Sequence, residues 1–118
     1  MIERYHFGAV VIDGVEYRDD VLLLPDESLP SGTRVLAWWR EEGHLLQLGD
    51  LGGVLGHEPQ VLLVGCGSRE CLQIAGEVSS HAQRQGIELL AFDTRTACGL
   101  FNDLTSRRRV IAALHLAC

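Results

Sequence analysis

Positive charge is scarce in this chain. Ten lysines and arginines face sixteen aspartates and glutamates, a formal net charge of −6. Binding to nucleic acid needs a cationic face that displaces counterions, so this balance argues against a nucleic-acid partner. The one basic run, Arg107-Arg108-Arg109, reads as a helix-end cluster. Long apolar runs are also missing. Val21-Leu22-Leu23-Leu24 and Val61-Leu62-Leu63-Val64 have the length of strands, whereas a membrane-spanning helix needs about 20 apolar residues. The opening Met1-Ile2-Glu3-Arg4-Tyr5-His6 holds no apolar stretch of the export-signal kind. The expectation is a cytoplasmic protein with no membrane insertion.

Several chemical signatures are absent. Among the five histidines, His6, His44, His57, His81 and His115, no two stand four apart on one helix face, so no metal site is expected. There is no Gly-x-Ser-x-Gly elbow for a serine nucleophile. The run Gly65-Cys66-Gly67-Ser68-Arg69-Glu70 lacks both the third glycine of a dinucleotide fingerprint and the Lys-Ser/Thr of a phosphate loop, and no cofactor is implied. The four cysteines, Cys66, Cys71, Cys98 and Cys118, form no Cys-x-x-Cys pair. A chain of this size can build a core without staples, so the thiols are expected to be reduced. Asp19-Asp20 and Glu41-Glu42 read as solvated turns.

What is present is an ordinary globular composition, 47% hydrophobic and 22% charged over 118 residues, which suits one domain spanning residues 1–118. The first half reads as β. Residues 7–12 are apolar and β-branched, and Asp13-Gly14 before Val15-Glu16-Tyr17 is a strong hairpin signal, because a type I′ turn needs positive φ at both central residues. Residues 21–24 read as a buried strand stopped by Pro25, and residues 35–39 as another. Asp50 is placed to cap a short helical turn through Leu55.

The second half changes period. Residues 61–64 read as a strand buried on both faces. Leu72, Ile74, Ala75, Val78 and Ala82 recur at helical spacing up to Gln85, with Gly86 as the stop. Residues 88–92 read as a strand. Asp93-Thr94 would cap a helix carrying Ala97, Leu100, Phe101 and Leu104. Residues 110–116 read as a last strand, with helix as its rival because Ala112-Ala113-Leu114 has weak strand propensity. Two strand–helix–strand crossovers require parallel pairing, and the sum is a three-layer α/β arrangement around a mixed sheet.

Chemistry would sit where two strand-to-helix turns meet, at residues 65–69 and 93–96, since open α/β sheets bind ligands beyond the carboxyl ends of their strands. The candidates there are Gly65, Cys66, Gly67, Ser68 and Thr94, with Arg69 or Arg95 for an anion. Tight-turn glycines and ordinary caps are the commoner use of such residues. Cys66 precedes the expected helix, where a thiol gains acidity, and Cys71 could resolve it. A buried free cysteine is more often a small hydrophobe. Trp38-Trp39 point to opposite faces of a strand. Either both are covered or one is exposed and marks a contact surface.

An ordered set of landmarks runs through the whole chain: the strand, Asp-Gly turn and strand from Tyr5 to Tyr17; Asp20-Val21-Leu22-Leu23-Leu24-Pro25; Trp38; Gly65-x-Gly67; Thr94-x-x-Ala97-x-x-x-Phe101-Asn102-x-Leu104; Arg109-Val110; and Ala112-Ala113-Leu114-His115-Leu116-Ala117-Cys118. This set resembles the Mth-like family of unknown function, which includes the adipogenesis-associated Mth-like domain proteins and a mitochondrial complex I assembly factor. The resemblance implies a three-layer β+α/β/α fold with a mixed central sheet and no established catalytic residues. Its hallmarks fall on Pro25, Gly65, Gly67, Thr94, Ala97, Asn102 and Arg109. The chain departs from it at Cys66, where many relatives carry a small polar residue, and at Arg107, where many carry Glu.

Two functions follow as expectations. The first is a non-catalytic binding or assembly module, with other proteins as partners by that resemblance and with self-association through open sheet edges. The second is a small-molecule or anion binder, or a minor enzyme, built on the two turns with Gly65, Cys66, Gly67, Ser68, Thr94, Asn102 and Arg109. The second requires a pocket between residues 65–68 and 93–96.

Overall fold

The alternation of apolar residues in the central strands dictates the layering. In the computed structural model, which describes residues 1–118, ten strands and two helices follow in chain order: β1 (Ile2–His6), β2 (Ala9–Ile12), β3 (Val15–Tyr17), β4 (Val21–Pro25), β5 (Thr33–Ala37), β6 (Leu45–Leu46), β7 (Val61–Cys66), β8 (Gln73–Ile74), α1 (Gly76–Arg84), β9 (Glu88–Phe92), α2 (Thr94–Leu104) and β10 (Val110–His115). The central sheet has the order β5-β4-β10-β7-β9. Strands β10, β7 and β9 pair in parallel, and β4 and β5 continue antiparallel.

Side chains alternate across a strand, and every residue of β7 and β10 is buried. Val61, Leu63, Val110, Ala112 and Leu114 therefore face one core, with Ile2, Tyr5, Val10 and Ile12 of the β1-β2-β3 sheet and Ala97 and Phe101 of α2. Leu62, Val64, Cys66, Ile111 and Ala113 face the other, with Val78 and Ala82 of α1, Trp38, Leu51 and Leu72. This is the expected three-layer mixed architecture. The last segment is a strand because it lies at the centre of the sheet, where burial on both faces overrides the weak propensity of alanine.

The local chemistry explains most boundaries. Asp13 (φ 50°) and Gly14 (φ 82°) form the expected positive-φ hairpin turn, which joins β2 to β3. The Asp93 side chain accepts the Thr96 N–H at 3.0 Å and caps α2. The segment around Asp50 forms two short 3-10 turns, Leu48–Leu51 and Val54–His57, and Asp50 lies inside the first, where its carboxylate accepts the Gln47 N–H.

Two expectations are corrected. An additional strand, β1, precedes the hairpin and pairs with β2. The helix expected from Leu72 starts only at Gly76. Gln73 N–H bonds to His44 O at 2.8 Å and Ala75 N–H to Leu46 O at 2.9 Å, drawing that stretch out as β8 alongside β6. Of the two tryptophans, Trp38 is buried at 5% exposure and Trp39 stands out at 77%. No helix is long and apolar enough to cross a membrane.

Candidate functional site at the carboxyl ends of the parallel strands

Strands β7, β9 and β10 end together. Gly65 pairs with Phe92 and Leu114, and Cys66 with His115. This rim is where the sequence places its candidate site. Thr94 opens α2 directly beneath the turn that follows β7. It is fully buried, accepts the Gly67 N–H at 2.8 Å and donates to His115 O at 2.6 Å. Thr94 N–H bonds back to Gly67 O at 3.2 Å. The glycines admit the chain's own atoms. A Cβ on Gly65 would stand 3.0 Å from Thr94 Oγ1, and one on Gly67, whose φ is +97°, would stand 2.5 Å from Ala117 O. The space between the two turns is thus occupied by Thr94 and by the tail after β10.

The remaining candidates do not converge there. Asn102 lies eight residues further along α2, about 12 Å at the helical rise. Its amide donates to Ile2 O and accepts from Ile2 N–H, both at 2.8 Å, clamping β1 onto the helix. Arg109 precedes β10 and so lies about 20 Å from the His115 end at the strand rise. It donates to His57 O at 2.8 Å and pairs with Glu27 at 2.9 Å. Arg95 stacks over the Tyr5 ring at 5.4 Å.

The thiols also depart from expectation. Cys66 closes β7 rather than opening a helix, and α1 begins ten residues later. Burial, helped by the Glu70 and Asp93 carboxylates, pushes the Cys66 thiol up to about 11. Burial likewise raises Cys98 to about 12. Both are small core residues. Cys71 is joined instead to Cys118 in a disulfide, with their Cα atoms 6.0 Å apart. The tail is brought there because Ser68 Oγ–H and Arg69 N–H both donate to Cys118 O, at 2.7 and 3.1 Å. The expectation that all four thiols are reduced is therefore corrected for this pair.

The same rim carries a polar cluster that sequence reasoning missed. Asp20, expected in a solvated turn, places Oδ2 2.7 Å from His115 Nδ1 and 2.8 Å from Arg40 Nη1, while Oδ1 accepts the Leu116 N–H at 2.8 Å. Burial alone would raise the Asp20 carboxyl; the His115 hydrogen bond, the Leu116 N–H and the Arg40 guanidinium outweigh it and hold its pKa below the usual carboxylate value. Arg40 Nη2 donates to Gly43 O at 2.8 Å, and its guanidinium lies 4.4 Å over the Trp38 ring.

The short contact to Asp20 assigns the His115 proton to Nδ1, since two lone pairs would repel at 2.7 Å. The 3.1 Å approach of Arg40 Nη2 to that nitrogen is then a packing contact. The other ring nitrogen, Nε2, is buried and without a partner. The His44 ring meets His115 edge-on at 5.9 Å between centroids. These residues are up to 96 positions apart, so no spacing rule links them. The only sequence signal was membership of Asp20 and His115 in the ordered landmarks.

The model of a protein family described as of unknown function, DUF498/DUF598, matches residues 2–115. Among solved structures the chain is similar to the conserved hypothetical protein PH1505 from Pyrococcus horikoshii OT3, at 29% identity and TM-score 0.87, covering 100% of this chain and 99% of that one. It is similar to a Bordetella parapertussis protein at 26% identity and TM-score 0.78, covering 96% and 92%. It also shares the fold of a Bordetella pertussis protein described as a Mth938-like domain, at 21% identity and TM-score 0.65, covering 98% and 84%. No curated protein matches.

Proposed function

We propose that this chain, which belongs to the DUF498/DUF598 family of proteins of unknown function, is a non-catalytic binding module that holds another protein against the rim at the carboxyl ends of its parallel strands. One observation carries this reading. Its three exposed aromatic side chains, Phe7 at 67%, Trp39 at 77% and Phe92 at 38%, all stand at that end. Phe92 ends β9 opposite Gly65, Trp39 follows β5 where Ala37 pairs with Val21, and Phe7 lies in the β1-β2 turn, whose Gly8 N–H bonds to Leu116 O. Exposed aromatic residues at one end of a fold are the kind that protein interfaces concentrate, because they bury much area at little entropic cost.

The competing reading, an anion binder or minor enzyme at the two turns, needs room where Thr94 and Ala117 already sit. The resemblance to an assembly factor agrees with a binding role and names no partner. The central sheet also has two open edges, β5 and β9, which makes self-association the other use of this surface.

The test places a photo-cross-linking phenylalanine derivative at Phe7, at Trp39 and, as a control on the hairpin side, at exposed Val15, in cells that make the protein natively. A discrete adduct with a second protein from Phe7 and Trp39, absent from Val15, is expected. No adduct at the aromatic positions, or equal adducts at all three, would overturn the reading. Adducts only of dimer mass would replace the hetero-partner with a second copy.

A further inference from the structure

The geometry points to a divalent transition-metal site of the zinc class formed by His44, His115, Cys71 and Cys118, available when the Cys71–Cys118 disulfide is reduced and closed when it is oxidised. His44, His115 and Cys118 each offer a donor atom within 4.8 Å of the others. Cys71 Sγ is bonded to Cys118 Sγ, so reduction releases the fourth donor at the same place. Ligands around tetrahedral zinc lie about 3.4–3.8 Å apart, given bonds of about 2.0–2.3 Å. A contraction of roughly 1 Å would complete the site. His44 is exposed, as is Cys71, so both ligand side chains have freedom to move.

The second, independent observation is His115 itself. Its side chain is 9% exposed, and its Nε2 is buried with no hydrogen-bond partner. A buried polar atom left without a partner is destabilising, and a bound cation removes that penalty. Its other nitrogen is held by Asp20 at 2.7 Å. A carboxylate on the far side of the imidazole is the usual support of a metal-bound histidine, because it fixes the tautomer and raises the basicity of the free nitrogen. Arg40 neutralises that carboxylate at 2.8 Å, leaving the two sulfurs to balance the ion. Two thiolates and two imidazoles suit zinc-class ions over magnesium or calcium, which take oxygen ligands.

The chemistry balances. A dithiol reductant breaks the Cys71–Cys118 bond, delivering two electrons and two protons to the two sulfurs while it is oxidised to its own disulfide. Metal binding then releases the two thiol protons to solvent, and the thiolate charges cancel the charge of the ion. Reoxidation by a disulfide-class oxidant removes both thiolate donors and ejects the metal. The inference is independent of the proposed binding role, since it concerns ligands rather than the exposed aromatics.

The experiment titrates cobalt(II) into the full chain, reduced with a phosphine and then oxidised, and reads the thiolate-to-cobalt charge-transfer band and the visible bands of tetrahedral cobalt. One equivalent is expected to bind the reduced protein and none the oxidised protein. His44→Ala changes an exposed side chain, so it keeps the fold. It is expected to lower cobalt affinity at least as much as loss of an outer-sphere partner, about 10–100-fold. His44→Cys is expected to retain a tetrahedral spectrum with stronger charge transfer. Cys98→Ala, in the other core, is expected to bind as wild type does. Absence of the bands in reduced wild type, unchanged affinity in His44→Ala, or loss of binding in Cys98→Ala would overturn the assignment.

Discussion

Thr94 Oγ1 accepts the backbone N–H of Gly67 at 2.8 Å, and both residues are buried. The same hydroxyl gives its proton to His115 O, so one side chain satisfies a donor on one strand end and an acceptor on its neighbour. Thr94→Val keeps the shape and removes both bonds. With roughly 1–3 kcal/mol lost for each orphaned buried group, urea unfolding should show Thr94→Val less stable than wild type by about 2–6 kcal/mol, and Thr94→Ser much closer to it. Equal stability of the valine variant would mean the hydroxyl carries no structural load.

Gly67 should tolerate no side chain. Its φ of +97° disfavours any L-residue, and the added Cβ would meet the carbonyl oxygen of Ala117 at 2.5 Å. Backbone oxygen cannot swing aside as a side chain can. The left-handed conformation alone costs about 1–2 kcal/mol, and displacement of the tail adds to it. Gly67→Ala is expected to lower the thermal midpoint and to raise the accessibility of the Cys71–Cys118 bond to a mild reductant. A variant with wild-type midpoint and wild-type reduction rate contradicts this.

The disulfide itself is a stability device. Its two cysteines are 47 positions apart, and the chain-entropy relation gives about 4 kcal/mol for closing a loop of that length. Reduction, or Cys71→Ser, should therefore lower the unfolding free energy read from the urea transition by up to that amount. Thiol counting should follow the burial. Cys66 at about 11 and Cys98 at about 12 leave both thiols almost wholly protonated at neutral pH. Neither is expected to react with iodoacetamide in the native oxidised protein. Two thiols should react after unfolding, and four after unfolding with reduction. Rapid native alkylation of Cys66 would refute its place as a core residue.

Asp20 should shape the acid side of the stability curve. Its pKa is lowered in the folded protein, so the unfolded chain takes up a proton more readily. The stabilisation is present above the unfolded carboxylate value and fades as pH falls through the folded one. Wild type should lose stability below about pH 4. Asp20→Asn should lose less over that interval while being less stable at neutral pH. Parallel acid limbs in the two proteins would show that Asp20 is not the group responsible.

The three layers were legible because they depend on period. Val61-Leu62-Leu63-Val64 announces a strand buried on both faces, Asp13-Gly14 a hairpin, and Asp93-Thr94 a helix start, all within a few residues of chain. The rim was only half legible. The turn glycines and Thr94 were found, since turns and caps carry local signatures. Their use was not, because the atoms that fill the turn come from Ala117 and His115, some 50 residues away. Asp20, Arg40 and His115 meet through sheet order alone, and sheet order is a property of the whole chain. The start of α1 failed for a related reason: Leu72, Ala75 and Val78 have helical spacing, yet the His44 and Leu46 carbonyls took the Gln73 and Ala75 N–H groups and drew Gln73–Ile74 out as a strand.

The apolar pattern of β7 and β10 has one further consequence. Both strands are hydrophobic on their two faces, so sliding either by one residue would exchange Val61 and Leu63 for Leu62 and Val64 at little hydrophobic cost. Oiliness cannot index the sheet. The glycines can. A Cβ at position 65 would crowd Thr94 at 3.0 Å, and only glycine passes beneath Ala117 at position 67. A slipped strand would drive Val64 or Cys66 into those two gaps. The paired glycines thus act as a molecular reading frame, setting which of two nearly equivalent alignments the central strands accept.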